Sequence, residues 1–239
     1  MSGTTDTAYT FAAAVLLMSA FALSHAARQF TIRIKRRWKS LSAGVAAAYV
    51  FVQVIPELEA HRPAVAASAV GALLDADKRI YSWALAGFVT LTGLGRLAHR
   101  NSRAESAWTY RAEIVGFATY WLLIGYLLVD REDPSLFSLA LYDFAMGLHA
   151  FMVDSELSEQ FGSKYEPRGR VLLAVSVLFG WVLGAADAFP EVFTSRLFAF
   201  ILGGVVVTSA HDELPAAEDS RFWWFVAGAV GYATILMLV

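Results

Sequence analysis

The 239-residue chain contains no cysteine, which excludes disulfides, thiolate metal sites and thiol catalysis. Charged residues are also scarce, at 17% of the sequence, against about a quarter in soluble domains. The net charge of −2 gives no argument for a nucleic-acid partner. Any metal that binds to this chain must therefore use histidine, carboxylate, carbonyl or water ligands.

Lysine is absent from every long apolar stretch, because all lysines lie in polar links between these stretches. They are Lys35, Lys39, Lys78 and Lys164. A retinal Schiff base needs a buried lysine, so no retinal is expected. No haem is expected either, because a transmembrane haem pair needs two deep histidines and only His149 lies deep within a stretch.

Long apolar runs dominate the sequence, which is 57% hydrophobic with a mean hydropathy of +0.52. Their continuous apolarity, without two-residue alternation, favours spanning helices over a barrel. The sequence predicts an all-α polytopic membrane protein with eight transmembrane helices in one domain, 1–239. The predicted spans are 8–27, 41–57, 80–98, 113–129, 135–153, 171–188, 193–210 and 222–239.

Basic residues are divided unevenly between the two sets of links. Fourteen of the 19 lie on the side of the links that follow the first, third, fifth and seventh spans, and five lie on the other side. The positive-inside rule places the richer set in the cytoplasm, so both termini are expected outside. We expect the protein in a bacterial inner membrane.

The fifth span carries unusual polar residues. Asp143 lies about 12 Å inside a helix that begins near Ser135, close to the middle of a ~30 Å hydrocarbon core. A charge at that depth costs at least ~2.5 kcal/mol and normally faces a partner or water inside a bundle. His149 follows within the span, and Asp154 and Glu156 come directly after it. This order predicts a cation pathway, and the alternative is a hydrogen-bonded Asp143, a packed His149 and solvated carboxylates.

Two further groups of polar residues are candidate cation ligands. The second span ends in QVIPELEAH, where Gln53 and Glu57 are expected to form the outer mouth of the pathway. Near the predicted inner face lie several histidines and an aspartate that could bind a cytoplasmic metal such as zinc. These are His25, His99, His149, His211 and Asp212. No two of the histidines have i, i+3 or i, i+4 spacing, so their convergence depends on helix packing.

Small residues in the later spans predict close helix contacts. Gly180 and Gly184 in the sixth span have GxxxG spacing, and Gly228 and Gly231 lie close together in the eighth. Glycines at such positions let the backbones of two helices approach each other. This spacing carries no information about chemistry.

Two stretches resemble the ZIP family of divalent-metal transporters. SLSAGVAAAYVFVQVIPELEAH is similar to the family's second helix, with Gln53 where a histidine is usual before Pro56 and Glu57. HDELPAAEDSRFWWFVAGAVGYATILML is similar to the junction of its seventh and eighth helices. The resemblance implies eight helices, both termini outside and a divalent cation as cargo. The family's motifs H-N-x-x-D-G and H-E-x-x-H-E do not occur in this chain.

The leading hypothesis is a ZIP-like membrane protein that binds or transports a divalent metal cation, and the sequence leaves open whether it is an enzyme. One alternative is an intramembrane metal-dependent hydrolase, with His25, His149 and His211 around zinc and Ser24 or Asp212 nearby. Another is a membrane scaffold that transports nothing. The expected partners are the lipid bilayer and the cation; a homo-oligomer is allowed, and nucleic acid is not expected.

Overall fold

A computed structural model describes residues 2–27, 32–67, 75, 78–100, 107–129, 135–208 and 222–238. Helices make up nearly all of these residues, and they include no strand, which confirms the all-α prediction. The helices are α1 (Ser2–Ala27), α2 (Ile32–Tyr49), α3 (Ile55–Ala60), α4 (Arg62–Ala66), α5 (Arg79–Arg100), α6 (Ala107–Leu127), α7 (Leu136–Phe161), α8 (Arg168–Ala185), α9 (Glu191–Thr208) and α10 (Phe222–Met237).

A π-helical turn over Val50–Val54 joins α2 to α3. Pro56 lies in the first turn of α3, directly after this wider turn. Proline has no amide to donate to the carbonyl four residues earlier, so the regular α-helical ladder cannot continue through it. The wide turn absorbs this interruption while the chain stays helical.

Four helical segments of the described residues are long and apolar enough to cross a membrane. They are Thr7–Ser24, Ser40–Ala60, Leu136–Lys164 and Arg168–Ala185. Many large apolar side chains on the helices are exposed, among them Phe51, Phe179 and Trp223. Exposed apolar surface of this extent fits contact with lipid rather than water. These features are those of an integral membrane protein.

The chain divides into two compact units. The first comprises Met1–Thr31 and Leu94–Ala188, and it contains α1, α6, α7 and α8. The second comprises Ile32–Gly93 and Phe189–Val239, and it contains α2 to α4, most of α5, α9 and α10. Each unit therefore combines helices that are far apart in the sequence.

In the first unit, α6 and α8 run parallel and meet at Gly125 and Gly180. A Cβ atom on Gly125 would overlap the carbonyl oxygen of Val177, and one on Gly180 would overlap that of Leu122. Val177 lies three residues before Gly180, and Leu122 lies three residues before Gly125. Each glycine therefore faces a backbone carbonyl one turn before the glycine of the partner helix. Contact this close is possible only without a side chain, as in small-residue helix interfaces of membrane proteins.

The second unit repeats this arrangement in two parallel helix pairs. In one pair, Gly44 of α2 lies against the backbone of α10, and Gly228 of α10 lies against the backbone of α2. In the other pair, Gly87 of α5 and Gly203 of α9 contact each other's helices in the same way. The offset of three residues between glycine and facing carbonyl is the same in each pair. A shared backbone contact therefore holds parallel helices together in both units.

Candidate functional site

The polar residues of interest in the first unit are organised around α7. The Ser135 hydroxyl accepts a hydrogen bond from the Ser138 amide at 3.2 Å and caps the start of this 26-residue helix. Gly162, with φ of +50°, ends it. Asp143 and Asp154 are three helical turns apart, so they lie on nearly the same side of α7, about 16 Å apart along its axis.

Asp143 has an oxygen that is buried without a partner. Its Oδ1 atom accepts no hydrogen bond from any residue that the structure describes. The nearby Tyr142 hydroxyl donates to the carbonyl of Ile124 at 3.3 Å instead. One turn along α7, a Cβ atom added to Gly147 would meet nothing within 4 Å. The hydrogen-bonded alternative for Asp143 therefore finds no donor for Oδ1 in this part of the chain.

Asp154 is fully buried, at 0% exposure, and its oxygens accept hydrogen bonds from three side chains. Arg170 binds it in a bidentate manner, with Nε 2.8 Å from Oδ1 and Nη2 3.1 Å from Oδ2. Tyr165 donates to Oδ1 at 2.6 Å, and Ser24 makes a short hydrogen bond to Oδ2. The carboxylate that we expected to be solvated or part of the pathway is thus enclosed, because α8 supplies a cation and α1 and the link between α7 and α8 each supply a hydroxyl.

A second layer of polar groups surrounds Arg170. Its Nη2 atom also donates to Ser158 Oγ at 3.3 Å and to Glu166 Oε1 at 3.2 Å. Ser158 in turn donates to Glu166 Oε1 at 2.8 Å. These residues and those around Asp154 are called the Asp154 cluster below. Its members are Ser24, Asp154, Ser158, Tyr165, Glu166 and Arg170.

Tyr165 closes the Asp154 cluster from the link between α7 and α8. Its ring lies against Gly169, where a Cβ atom would overlap the ring, and the Arg170 guanidinium lies 5.8 Å from the ring centre. Burial, followed by the hydrogen bond to Asp154, raises the pKa of the Tyr165 phenol above its usual value. The phenol therefore remains a proton donor to the carboxylate.

His149 lies in an aromatic pocket formed with α6. It is 3% exposed, its Nε2 atom is 3.2 Å from the Tyr120 hydroxyl, and its ring centre is 5.7 Å from that of Trp121. Trp121 is fully buried, and T-shaped packing against Phe21 of α1 holds it in place. This environment fits the packed interpretation of His149 better than that of a solvated ligand.

The remaining predicted residues lie elsewhere. Gln53, in the π-helical turn, and Glu57, in the first turn of α3, are partly buried and belong to the second unit. Glu156 is exposed on α7 in the first unit.

The predicted cytoplasmic metal site falls largely outside the structural description. His211 and Asp212 lie outside the described residues, as do the side chains of His25 and His99. Within the described ranges, no group of three or more histidine and carboxylate side chains could hold a metal ion. The metal site and the hydrolase alternative thus remain predictions.

No family model matches the chain, and searches of curated proteins and of solved structures find no significant match. The ZIP resemblance therefore depends on the two sequence stretches that carry it. The geometry contributes a separate observation, which is the contrast between the partnered Asp154 and the buried, partnerless oxygen of Asp143.

Proposed function

We propose that this integral membrane protein binds and passes a cation at Asp143, and that its cargo is a divalent metal ion, as the ZIP resemblance implies. The observation that supports this proposal is the buried Oδ1 atom of Asp143, which has no partner in the described ranges. A carboxylate within a spanning helix must be neutralised by a base, a proton or a bound cation. No described base pairs with Asp143, so a proton and a cation are the remaining candidates.

Within the first unit, the proposed pathway centres on Asp143, with Glu156 on its inner side. His149 lies between these two residues on α7 and packs against Tyr120 and Trp121. Asp154 has a different role, because Arg170, Tyr165 and Ser24 already occupy its oxygens. We assign Asp154 to holding α1, α7 and α8 together.

Replacing Asp143 with asparagine tests this proposal. The amide is nearly isosteric with a protonated carboxyl, so Asp143→Asn is expected to fold normally and to lose cation flux. The measurement is Zn²⁺ uptake into vesicles that contain the purified protein. Glu159→Gln is the matched control, because Glu159 is an exposed carboxylate on the same helix, and it should retain uptake.

Three other outcomes would contradict the proposal. Full uptake by Asp143→Asn would leave Asp143 without a transport role. Wild-type vesicles that neither bind nor pass Zn²⁺ would favour the scaffold alternative. A lipid- or amide-hydrolysing activity that is lost when His25 and His211 are both replaced with alanine would favour the hydrolase.

We also propose eight spans with both termini outside, in a bacterial inner membrane. The parallel helix pairs support this topology. If successive spans cross the membrane in alternating directions, the fourth and sixth spans run parallel, and the corresponding helices α6 and α8 do so. The same holds for the second and eighth spans, α2 and α10, and for the third and seventh, α5 and α9.

Single cysteines can test this topology without background, since the chain has none. A membrane-impermeant maleimide applied to intact cells should label Ser2→Cys and Leu238→Cys. It should label Arg37→Cys only after lysis, because the first link is expected in the cytoplasm. Labelling of one terminus but not the other from outside would mean an odd number of spans.

A further inference from the structure

A basic and aromatic surface lies near the starts of α2 and α10, within the second unit. Gly44 and Gly228 bring these two parallel helices into contact, so their first turns lie at the same end of the pair. The Arg37 guanidinium of α2 lies 5.6 Å from the ring centre of Trp224 on α10. The exposed residues at this end are called the Arg37 surface below, and they are Arg37, Trp38, Phe222, Trp223 and Trp224.

The aromatic side chains of the Arg37 surface are largely uncovered. Trp223 is 79% exposed and Trp38 is 54% exposed. Trp38 lies two residues before the apolar spanning segment Ser40–Ala60. Tryptophan is enriched where the hydrocarbon core meets the headgroups, because its ring is apolar and its N–H group is polar. The Arg37 surface is therefore expected at the level of the lipid headgroups.

Positive charge is concentrated in the same turns of α2. The first eight residues of this helix include five basic residues, and the whole helix contains no acidic residue. The five are Arg33, Lys35, Arg36, Arg37 and Lys39. Among the described residues, no carboxylate forms an ion pair with the exposed Arg37. The Trp224 ring attracts the guanidinium through its π face but carries no net charge. Arg37 can therefore still pair with an anion that is not among these residues.

We propose that the Arg37 surface binds the phosphate headgroup of an anionic phospholipid of the bilayer. Basic clusters directly beside a spanning helix attract anionic lipids. A guanidinium suits this role, because its planar donors match the oxygens of a phosphate. Trp38 and Trp223 supply apolar contact area for the same lipid. A nucleic acid or an acidic protein would match the charge but not these uncovered rings. This surface belongs to the second unit and does not depend on a role for Asp143.

Native mass spectrometry of the full chain, titrated in detergent with phosphatidylglycerol or phosphatidylcholine, tests the proposal. The wild type should bind phosphatidylglycerol more tightly, because the phosphatidylcholine headgroup has no net charge. Arg37→Gln should weaken the tightest phosphatidylglycerol binding about fivefold, as expected for one basic residue near an anionic surface. Arg37→Lys keeps the charge and should retain most of this binding.

Arg168→Gln is the matched control for the titration. Arg168 is an exposed arginine in the first turn of another helix, α8, in the first unit. Its replacement removes the same charge away from the Arg37 surface. The variant should therefore bind phosphatidylglycerol as tightly as the wild type does.

Tryptophan fluorescence in lipid nanodiscs provides the second readout. The Trp38 emission is taken as the difference between the wild type and Trp38→Phe. Phosphatidylglycerol with brominated acyl chains should quench this emission more strongly than brominated phosphatidylcholine at the same mole fraction, because the anionic lipid is enriched at the surface. High salt should reduce the difference, since it screens the attraction between exposed charges.

Three outcomes would overturn the proposal. The first is equal binding of the two lipids by the wild type. The second is unchanged phosphatidylglycerol binding by a folded Arg37→Gln variant. The third is tighter binding of a polyglutamate peptide or a short DNA duplex than of phosphatidylglycerol, which would assign the surface to a soluble polyanion. None of them bears on cation flux through Asp143, so this proposal and the proposed function fail independently.

Discussion

Asp143 and Asp154 are the same residue type on the same helix, yet their surroundings are opposite. Asp154 is fully enclosed and accepts hydrogen bonds from Arg170, Tyr165 and Ser24. Asp143 has a buried oxygen with no partner in the described part of the chain, beside the open position at Gly147. Burial alone therefore does not separate a structural carboxylate from a candidate functional one; the donors on neighbouring helices do.

The position of Arg170 explains the difference. Only a short link separates α7 from α8, so the end of α7 and the start of α8 lie close together, and Arg170 reaches Asp154. Asp143 is about 16 Å away along α7, beyond the reach of that guanidinium. A buried ion pair is neutral as a unit, whereas an isolated carboxylate needs a proton or a cation from elsewhere.

The largest expected effect comes from breaking the Asp154 pair. Asp154→Asn leaves the buried Arg170 charge without its main partner and should cost about 3–5 kcal/mol of folding stability. Asp143→Asn removes no partnered charge and should change stability little. Thermal unfolding of both variants in the same detergent measures the contrast. Equal losses of stability would mean that the two carboxylates do not differ as proposed.

A double variant separates lost charge pairing from lost packing. Asp154→Leu combined with Arg170→Met removes both charges, and apolar replacement of a buried pair is often neutral or stabilising. Neither substitution changes Ser158 or Glu166, which are hydrogen-bonded to each other at 2.8 Å in the wild type. We expect it to regain most of the stability that Asp154→Asn loses. A double variant no more stable than Asp154→Asn would show that packing dominates.

Removal of the Tyr165 hydroxyl should have an intermediate effect. Tyr165→Phe keeps the ring against Gly169 but removes one hydrogen bond to the Asp154 carboxylate, which should cost about 1.5–3 kcal/mol. Because the folded-state pKa of Tyr165 lies above its usual 10.0, the hydroxyl's contribution is complete below that pH and is lost as pH rises above it. Unfolding at a series of pH values should therefore show the wild-type advantage shrinking above pH ~10. A constant advantage would contradict the shifted pKa.

Much of the fold could be predicted from the sequence, because continuous apolar runs specify helices directly. The close contacts predicted at Gly180 and Gly228 also occur, whereas Gly231 meets nothing within 4 Å. The sequence spacing of glycines indicates that they share one face of a helix. It does not indicate whether another helix packs against that face. The division into two units was not predicted for the same reason, since it depends on which helices pair.

The candidate site was less predictable. Asp143 stands out from its depth alone, but the burial of Asp154 depends on Ser24, which is 130 residues away in sequence. Arg170 contributed to the topology argument only as one more positive charge. Its place at the start of the span after Asp154 was the one signal that could have indicated the pair.

The smallest expected effect compares the surroundings of Asp154 and of Asp143 through two nearby glycines, Gly169 at the start of α8 and Gly147 within α7. A Cβ atom at Gly169 would overlap the Tyr165 ring, which its hydrogen bond to Asp154 holds in place. Gly169→Ala should therefore cost about 1 kcal/mol, the low end of the range for overpacking, because a ring can shift slightly. A Cβ atom at Gly147 meets nothing within 4 Å, so Gly147→Ala should stabilise the helix by about 0.5–1 kcal/mol. Opposite shifts in unfolding temperature would support a closed polar cluster around Asp154 and open space beside Asp143. If Gly147→Ala is destabilising, the space beside Asp143 is filled in the folded protein, and the access that a passing cation needs is absent.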